Sequence, residues 1–258
     1  MDALVRELSA DPRVVGLVLA GSSAETARRD QWSDHDFLVV TEDGTPEGYR
    51  ADLSWLPQGE RLPDGDRLAF SFRETPHGLK ALYRSGLLLE FAVFDRAEFA
   101  ACALNHYSVV IDRGGITDLA REVHSRTTSA TTISAPDPLA SLRAFLSLVY
   151  IGTGRARRGE RLSANVFIRD YATAHLLRLL RVVVLGDDPA TAVLDDLDPW
   201  RRFEQAAPDL AARIDSALAR PIEEVGPDLL RVADGELRER WPAYPAQDTA
   251  LVLALLTA

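Results

Sequence analysis

GSSAETARRDQWSDHDFLVV, residues 21–40, decides how this 258-residue chain is read. Asp34 and Asp36 alternate with His35 ahead of the apolar run Phe37 to Val40. Successive side chains of a strand point to opposite faces, so the two aspartates share one face and His35 takes the other. Upstream, RVVGLVLAGSS predicts a second strand, Val14 to Leu19, that ends in a Gly21-Ser22-Ser23 turn and feeds a short helix around Ala24 to Arg28. Such a turn at a helix start presents backbone N–H groups and hydroxyls to an anion. The stretch therefore predicts an anion cradle and a pair of hard-oxygen metal ligands on neighbouring strand ends. Together they suggest chemistry on a nucleotide with a divalent cation.

Composition narrows the class. A formal net charge of −10 argues against a non-specific nucleic-acid or anionic-membrane binder, which needs a basic surface, and suits a cationic small substrate. Lys80 is the only lysine, so nearly every cation is an arginine. The single cysteine, Cys102, excludes a disulfide framework or a thiolate zinc cluster. No apolar run reaches the roughly 18 residues that span a bilayer, and the first residues carry no basic-then-apolar leader. The expectation is a cytoplasmic protein that does not bind membranes.

Working outward, Leu4, Val5 and Leu8 set a short opening helix over Asp2–Ser9. Beyond the key stretch, strands are expected at Arg67–Arg73, Leu79–Arg84 and Leu87–Phe94, the last two joined by a Ser85-Gly86 turn. A helix at Ala97–Leu104 and a strand at Tyr107–Asp112, closed by Gly114-Gly115, follow. The polar SRTTSATTISAPDP, residues 125–138, predicts a boundary between a domain over residues 1–125 and another over 137–258. The second half is helical. Asp137 caps and Pro138 opens a helix with Leu139, Leu142, Phe145, Leu146 and Val149 on its apolar face. Glu160–Leu185 is apolar on most sides, as in a central bundle helix, and further helices are expected at Trp200–Gln205, Asp209–Ala219, Pro227–Arg240 and Gln247–Leu256. The fold class is α+β: a mixed-sheet domain, then an all-α bundle.

A third acid is needed beside Asp34 and Asp36, and GLLLEFAVFD offers Glu90 within the apolar run Leu87 to Phe94. A charge embedded there is costly unless paired or bound to metal; the plain alternative is an edge-strand glutamate facing water. His35 is expected to pack beneath the aspartates. Asp95 falls on the opposite face from Glu90, and Glu74 stands at the rim. In the helical half, Arg155, Arg157, Arg158, Arg161 and Arg169 cluster about a helix junction, and Arg169-Asp170-Tyr171 interrupts an apolar helix. A charge run of this kind is usually a solvated face, although it could also supply cations to a triphosphate.

Gly21-Ser22, then residues 23–33, then Asp34-His35-Asp36 resembles the signature of the DNA polymerase beta-like nucleotidyltransferase superfamily. YRSGLLLEFAVF is similar to the hairpin that carries that superfamily's third carboxylate. A mixed α/β domain followed by helices resembles the antibiotic nucleotidyltransferases that act on aminoglycosides and lincosamides. The motif resemblance spans Val14 to Phe94. It implies Asp34, Asp36 and Glu90 as catalytic acids around Mg²⁺, two ions in all, with Glu90 either the third ligand or the general base. It further implies Ser22 at the triphosphate of ATP or another NTP and a small-molecule hydroxyl as acceptor; from the residues themselves, Gly21 and Ser23 of the same turn are expected beside Ser22, and Arg158 and Arg169 of the arginine cluster are the expected phosphate-binding cations. Two alternatives stay open: transfer to a protein or tRNA, against which the negative charge weighs for RNA, and a nucleotide-binding module without turnover. Neither the acceptor nor the oligomeric state is legible.

Overall fold

A computed structural model is the structure of the protein; the residues it describes are 1–21, 35–133 and 137–257. The chain divides into two compact units, Met1–Ala130 and Thr131–Ala258.

The first unit is built on a six-stranded sheet in the order β3-β4-β5-β2-β1-β6. Its strands are β1 (Val14–Ala20), β2 (His35–Thr41), β3 (Leu68–Arg73), β4 (Gly78–Tyr83), β5 (Leu88–Phe94) and β6 (Tyr107–Asp112). Every neighbouring pair is antiparallel except β2 and β5, which run parallel at the centre. Alternation along each strand sorts the side chains. Leu17, Phe37, Val39, Leu79, Ala81, Leu89, Phe91 and Val93 face one way. There they meet Leu4 and Leu8 of α1 (Asp2–Ala10), Tyr49 of α2 (Pro46–Ala51), and Leu56. The other face carries Val18, Val40 and Phe94, covered by Phe99 of α3 (Arg96–Ala101) and by Ile116, Ala120 and Val123 of α4 (Ile116–Ile133). Gly16 lets α4 come close: a Cβ there would lie 2.9 Å from both γ-carbons of Ile116.

α4 replaces part of the expected link between the halves. Ile116, Ala120, Val123 and Thr127 form a buried stripe at helical spacing. The Thr127 hydroxyl donates to the Val123 carbonyl at 2.9 Å and accepts from the Leu104 amide at 3.0 Å. Asp112 caps the start, accepting from Ile116 N–H at 2.7 Å. So the Ser/Thr-rich run from 125 is helical as far as Ile133.

In the second unit α5 (Pro138–Arg157) starts as read, with the Asp137 carboxylate accepting from Leu139 and Ala140 N–H at 3.3 and 3.1 Å. A continuous helical run follows: α6 (Arg161–Asn165), a π-helical stretch (Val166–Ala172), α7 (Thr173–Leu180) and a second π-helical stretch (Arg181–Leu185). Then come α8 (Phe203–Ala206), α9 (Pro208–Leu218), α10 (Ile222–Arg240) and α11 (Ala246–Thr257). α10 begins five residues before Pro227, the expected start, and holds that proline in its interior. Burial of Ile222 and Val225 ahead of it offsets the one missing backbone bond. No helix among the described residues is long and apolar enough to cross a membrane.

Candidate active site

The parallel pairing of β2 with β5 sets Asp36 directly opposite Glu90. Register partners on adjacent strands sit about 4.8 Å apart with their side chains on the same face. The row continues across the sheet, Glu90 opposite Lys80 on β4 and Lys80 opposite Phe72 on β3. Asp36, Glu90, Lys80 and Phe72 therefore line one face, while Phe37 and Phe91, one residue on, enter the core beneath. Asp34, Ser22 and Ser23 lie outside the described residues, as does the helix expected at Ala24–Arg28.

Lys80 was missed by sequence reasoning as a site residue. Its ammonium lies 3.2 Å from Glu90 Oε2 and 3.1 Å from Glu74 Oε1. Those two hydrogen bonds, Glu74's the larger influence, hold its pKa above the usual lysine range. The signal was present: a lone lysine inside the apolar strand GLKALY, one strand from an equally isolated glutamate. Glu90 is neither a water-facing edge residue nor a bare buried charge. It sits on an interior strand, 45% exposed at its side chain, with an internal counter-cation.

The remaining acids and histidines divide. Asp95 is the N-cap of α3, accepting from Glu98 N–H at 2.8 Å while Glu98 Oε2 accepts from Asp95 N–H at 3.0 Å, a reciprocal capping box. Glu98 also pairs with Arg50, whose buried guanidinium donates to the Val93 carbonyl at 2.9 and 2.6 Å. This ties α2 and α3 to β5. His35 is half-buried opposite Leu89, on the far side from Asp36. Gly21 has φ +53°, which favours glycine, but its N–H donates to the His106 carbonyl at 3.0 Å and so serves the sheet rather than an anion.

Arg158 and Arg169 belong to the helical unit. Arg158, 62% exposed, donates from Nε to Glu160 Oε1 at 2.9 Å. Arg169 donates to Asn165 Oδ1 at 2.7 Å and to the Arg220 carbonyl at 2.8 Å, so it staples the π-helical stretch to the α9–α10 connection. Arg155 stacks its guanidinium 3.9 Å from the centre of the Phe167 ring, and Arg161 pairs with Glu223. Each of these arginines has a partner within its own unit.

Chemically, Asp36 and Glu90 present hard oxygen donors side by side, the kind of donor a magnesium ion takes. Among the described residues, no group of three His, Cys, Asp or Glu is arranged to hold a metal, and Asp34 stands outside that set. No protein-family model matches the chain, and neither does any curated protein. Among solved structures it is similar to an aminoglycoside 6-adenyltransferase from Bacillus subtilis, at 11% identity and TM-score 0.33, over 98% of this chain and 90% of that one. At that score the likeness carries no functional weight.

Proposed function

We propose that the protein transfers a nucleotidyl group, AMP from ATP, to a hydroxyl of a small molecule with the help of Mg²⁺. The observation that supports this most directly is the register of the central strands, which puts Asp36 beside Glu90 on one face. In this reading Asp34, Asp36 and Glu90 would surround the cation, Asp36 and Glu90 side by side on the sheet face. When bound, the ion neutralises triphosphate charge and makes the acceptor hydroxyl more acidic. Glu90, partly exposed, is the group that accepts the hydroxyl proton. The acceptor oxygen bonds to the α-phosphorus, the bond from that phosphorus to the bridging oxygen breaks, and pyrophosphate leaves with the electron pair. Ser22 and Ser23 are the residues proposed to offer hydroxyls to the phosphates. The net charge of −10 suits a cationic acceptor such as an aminoglycoside.

The test is nucleotide-dependent pyrophosphate release with each of the four NTPs over a panel of aminoglycosides and lincosamides. Asp36→Asn should abolish turnover, and Glu90→Gln should lower kcat by about 10²–10⁴-fold, the usual worth of a general base. Unchanged turnover in Asp36→Asn would remove the assignment of the site.

A further inference from the structure

Lys80 is the one lysine in a chain that otherwise uses arginine, and it lies in the row of residues that carries the proposed cation site. An ammonium is a compact charge on a flexible stem with rotatable donors, whereas a guanidinium is a rigid fork suited to one fixed partner. Lys80 has two partners at nearly equal distance, Glu90 at 3.2 Å and Glu74 at 3.1 Å. Glu74 is held just past the end of β3 by its own N–H, which donates to the Gly78 carbonyl at 3.0 Å. The lysine side chain is only 25% exposed, with Phe72 beside it on one strand and Glu90 on the other. Its head therefore bridges two carboxylates and can let go of one while keeping the other.

We propose that Lys80 is a positioning residue for the cation site. Its ammonium bridges Glu90 and Glu74 while no divalent ion is bound, and releases Glu90 but keeps Glu74 when one binds. The inference rests on the proposed function, in that it takes Asp36 and Glu90 as the acids that meet the cation. Two like charges on one carboxylate repel, and at this range and partial exposure the cost is large enough to drive the release. Glu74 keeps the ammonium satisfied after it leaves Glu90, so arrival of the ion does not strand a half-buried charge. A lysine in this place also suppresses repulsion between Asp36 and Glu90 in the resting protein.

The experiment measures Mn²⁺ binding by electron paramagnetic resonance, with and without a non-hydrolysable ATP analogue, on the full chain. Lys80→Met should bind Mn²⁺ roughly tenfold tighter, because the competing charge is gone. Lys80→Arg, which keeps a cation there but favours one fixed partner, should bind no tighter than wild type. Glu74→Gln should bind several-fold more weakly, since the ammonium then has only Glu90, and Lys80→Met/Glu74→Gln should match Lys80→Met alone. A second readout leaves Lys80 itself unchanged: with lysine ¹³C-labelled at Cε, the chain gives a single lysine resonance, which Mg²⁺ should shift in wild type and leave in place in Asp36→Asn. Unaltered or weaker Mn²⁺ affinity in Lys80→Met overturns the proposal, as does a lysine resonance indifferent to Mg²⁺. If Asp36→Asn and Glu90→Gln lose Mn²⁺ while Lys80→Met behaves as wild type, only the role of Lys80 falls. If wild type binds no Mn²⁺, or those two variants bind it as wild type does, the site assignment itself falls and this role with it.

Discussion

Gly152→Ala should destabilise the helical unit even though alanine is the better helix former. Gly152 lies in the middle of α5, buried, and a Cβ built on it meets Ile168 Cγ1 at 2.4 Å, Ile168 Cδ1 at 3.0 Å and Phe167 Cβ at 3.2 Å. Carbon atoms rest about 3.5–4.0 Å apart, so the first of these contacts is more than an ångström too short. Ile168 is fully buried in the π-helical stretch packed on α5 and has no open side to turn toward. Overpacking of that kind costs about 1–3 kcal/mol, and with neighbours crowding from two residues the upper half of the range applies. Against it stands roughly 1 kcal/mol of helix propensity gained on replacing glycine. The net loss is therefore about 1–2 kcal/mol.

The same substitution should change sign when Ile168 is cut back. Ile168→Ala alone costs about 2–5 kcal/mol through lost packing and the cavity left behind. In that background the new methyl enters space instead of a side chain, so Gly152→Ala should restore about 1 kcal/mol. Urea titrations of the full chain, followed by far-ultraviolet circular dichroism, give both differences from the midpoints. Gly152→Ala more stable than wild type, or an effect of one sign in both backgrounds, would refute the close-packing account.

Three further outcomes follow from side chains away from the proposed site. His175 on α7 is half-buried, its Nδ1 without a hydrogen-bond partner among the described residues, and burial followed by the Arg178 charge lowers its pKa. A lowered folded-state value means the unfolded chain binds the proton first, so stability is full above the ordinary histidine pKa of about 6.5 and falls as pH drops through it; His175→Phe should flatten urea midpoints between about pH 7 and 5. The Cys102 thiol is pushed up by burial, so it should react with iodoacetamide more slowly at pH 8 than a free thiol and gain more than the free thiol does as pH rises further. Tyr49→Phe should cost about 1–2 kcal/mol by removing the phenol's hydrogen bond to the Asp11 carboxylate, which the Arg13 guanidinium, foremost, holds well below its usual range. Because the depressed group is stabilising only while ionised, the difference between Tyr49→Phe and wild type should shrink below about pH 4.

Elements set by local pattern were legible. The six strands fall within a residue or so of their alternating runs, and α5 starts where Asp137 and Pro138 place it. What escaped depended on tertiary partners. The Ser/Thr-rich end of α4 reads as linker because its buried stripe is sparse, and only Leu104 across the fold shows why Thr127 faces inward. Asp95-Arg-Ala-Glu98 is a capping box in plain sight, yet an acid after a strand also reads as a site residue until its hydrogen bonds are seen. That Glu90 stands among apolar residues was readable; that it lies opposite Asp36, with Lys80 on its other flank, was not. Strand order is decided by which faces bury together, and β2 finds β5 only after two strands intervene.

The core beneath the acids determines where they stand. Phe37 and Phe91 are register partners and stack with ring centres 5.0 Å apart and planes 3° from parallel, while Trp55 meets Phe91 edge-on at 5.4 Å. One residue earlier on each strand come Asp36 and Glu90. A slip of one residue would turn Glu90 into the layer formed by Tyr49 and Leu56 and bring Phe91 to the outer face, a double loss that the stacked pair forbids. Val39 opposite Val93, both fully buried, repeats the constraint two residues on. Phe91→Leu should therefore cost about 1–2 kcal/mol, from the lost ring pairing and a partial cavity, yet keep the register and the cation affinity assigned to the acids. Asp36→Asn should do the reverse, abolishing that affinity at little cost in stability, since a half-exposed carboxylate on the sheet face fills no core. A Phe91→Leu protein that folds with a near-native urea midpoint but has lost Mn²⁺ binding would show that the aromatic pair, and not the valines with it, sets the spacing of the two carboxylates.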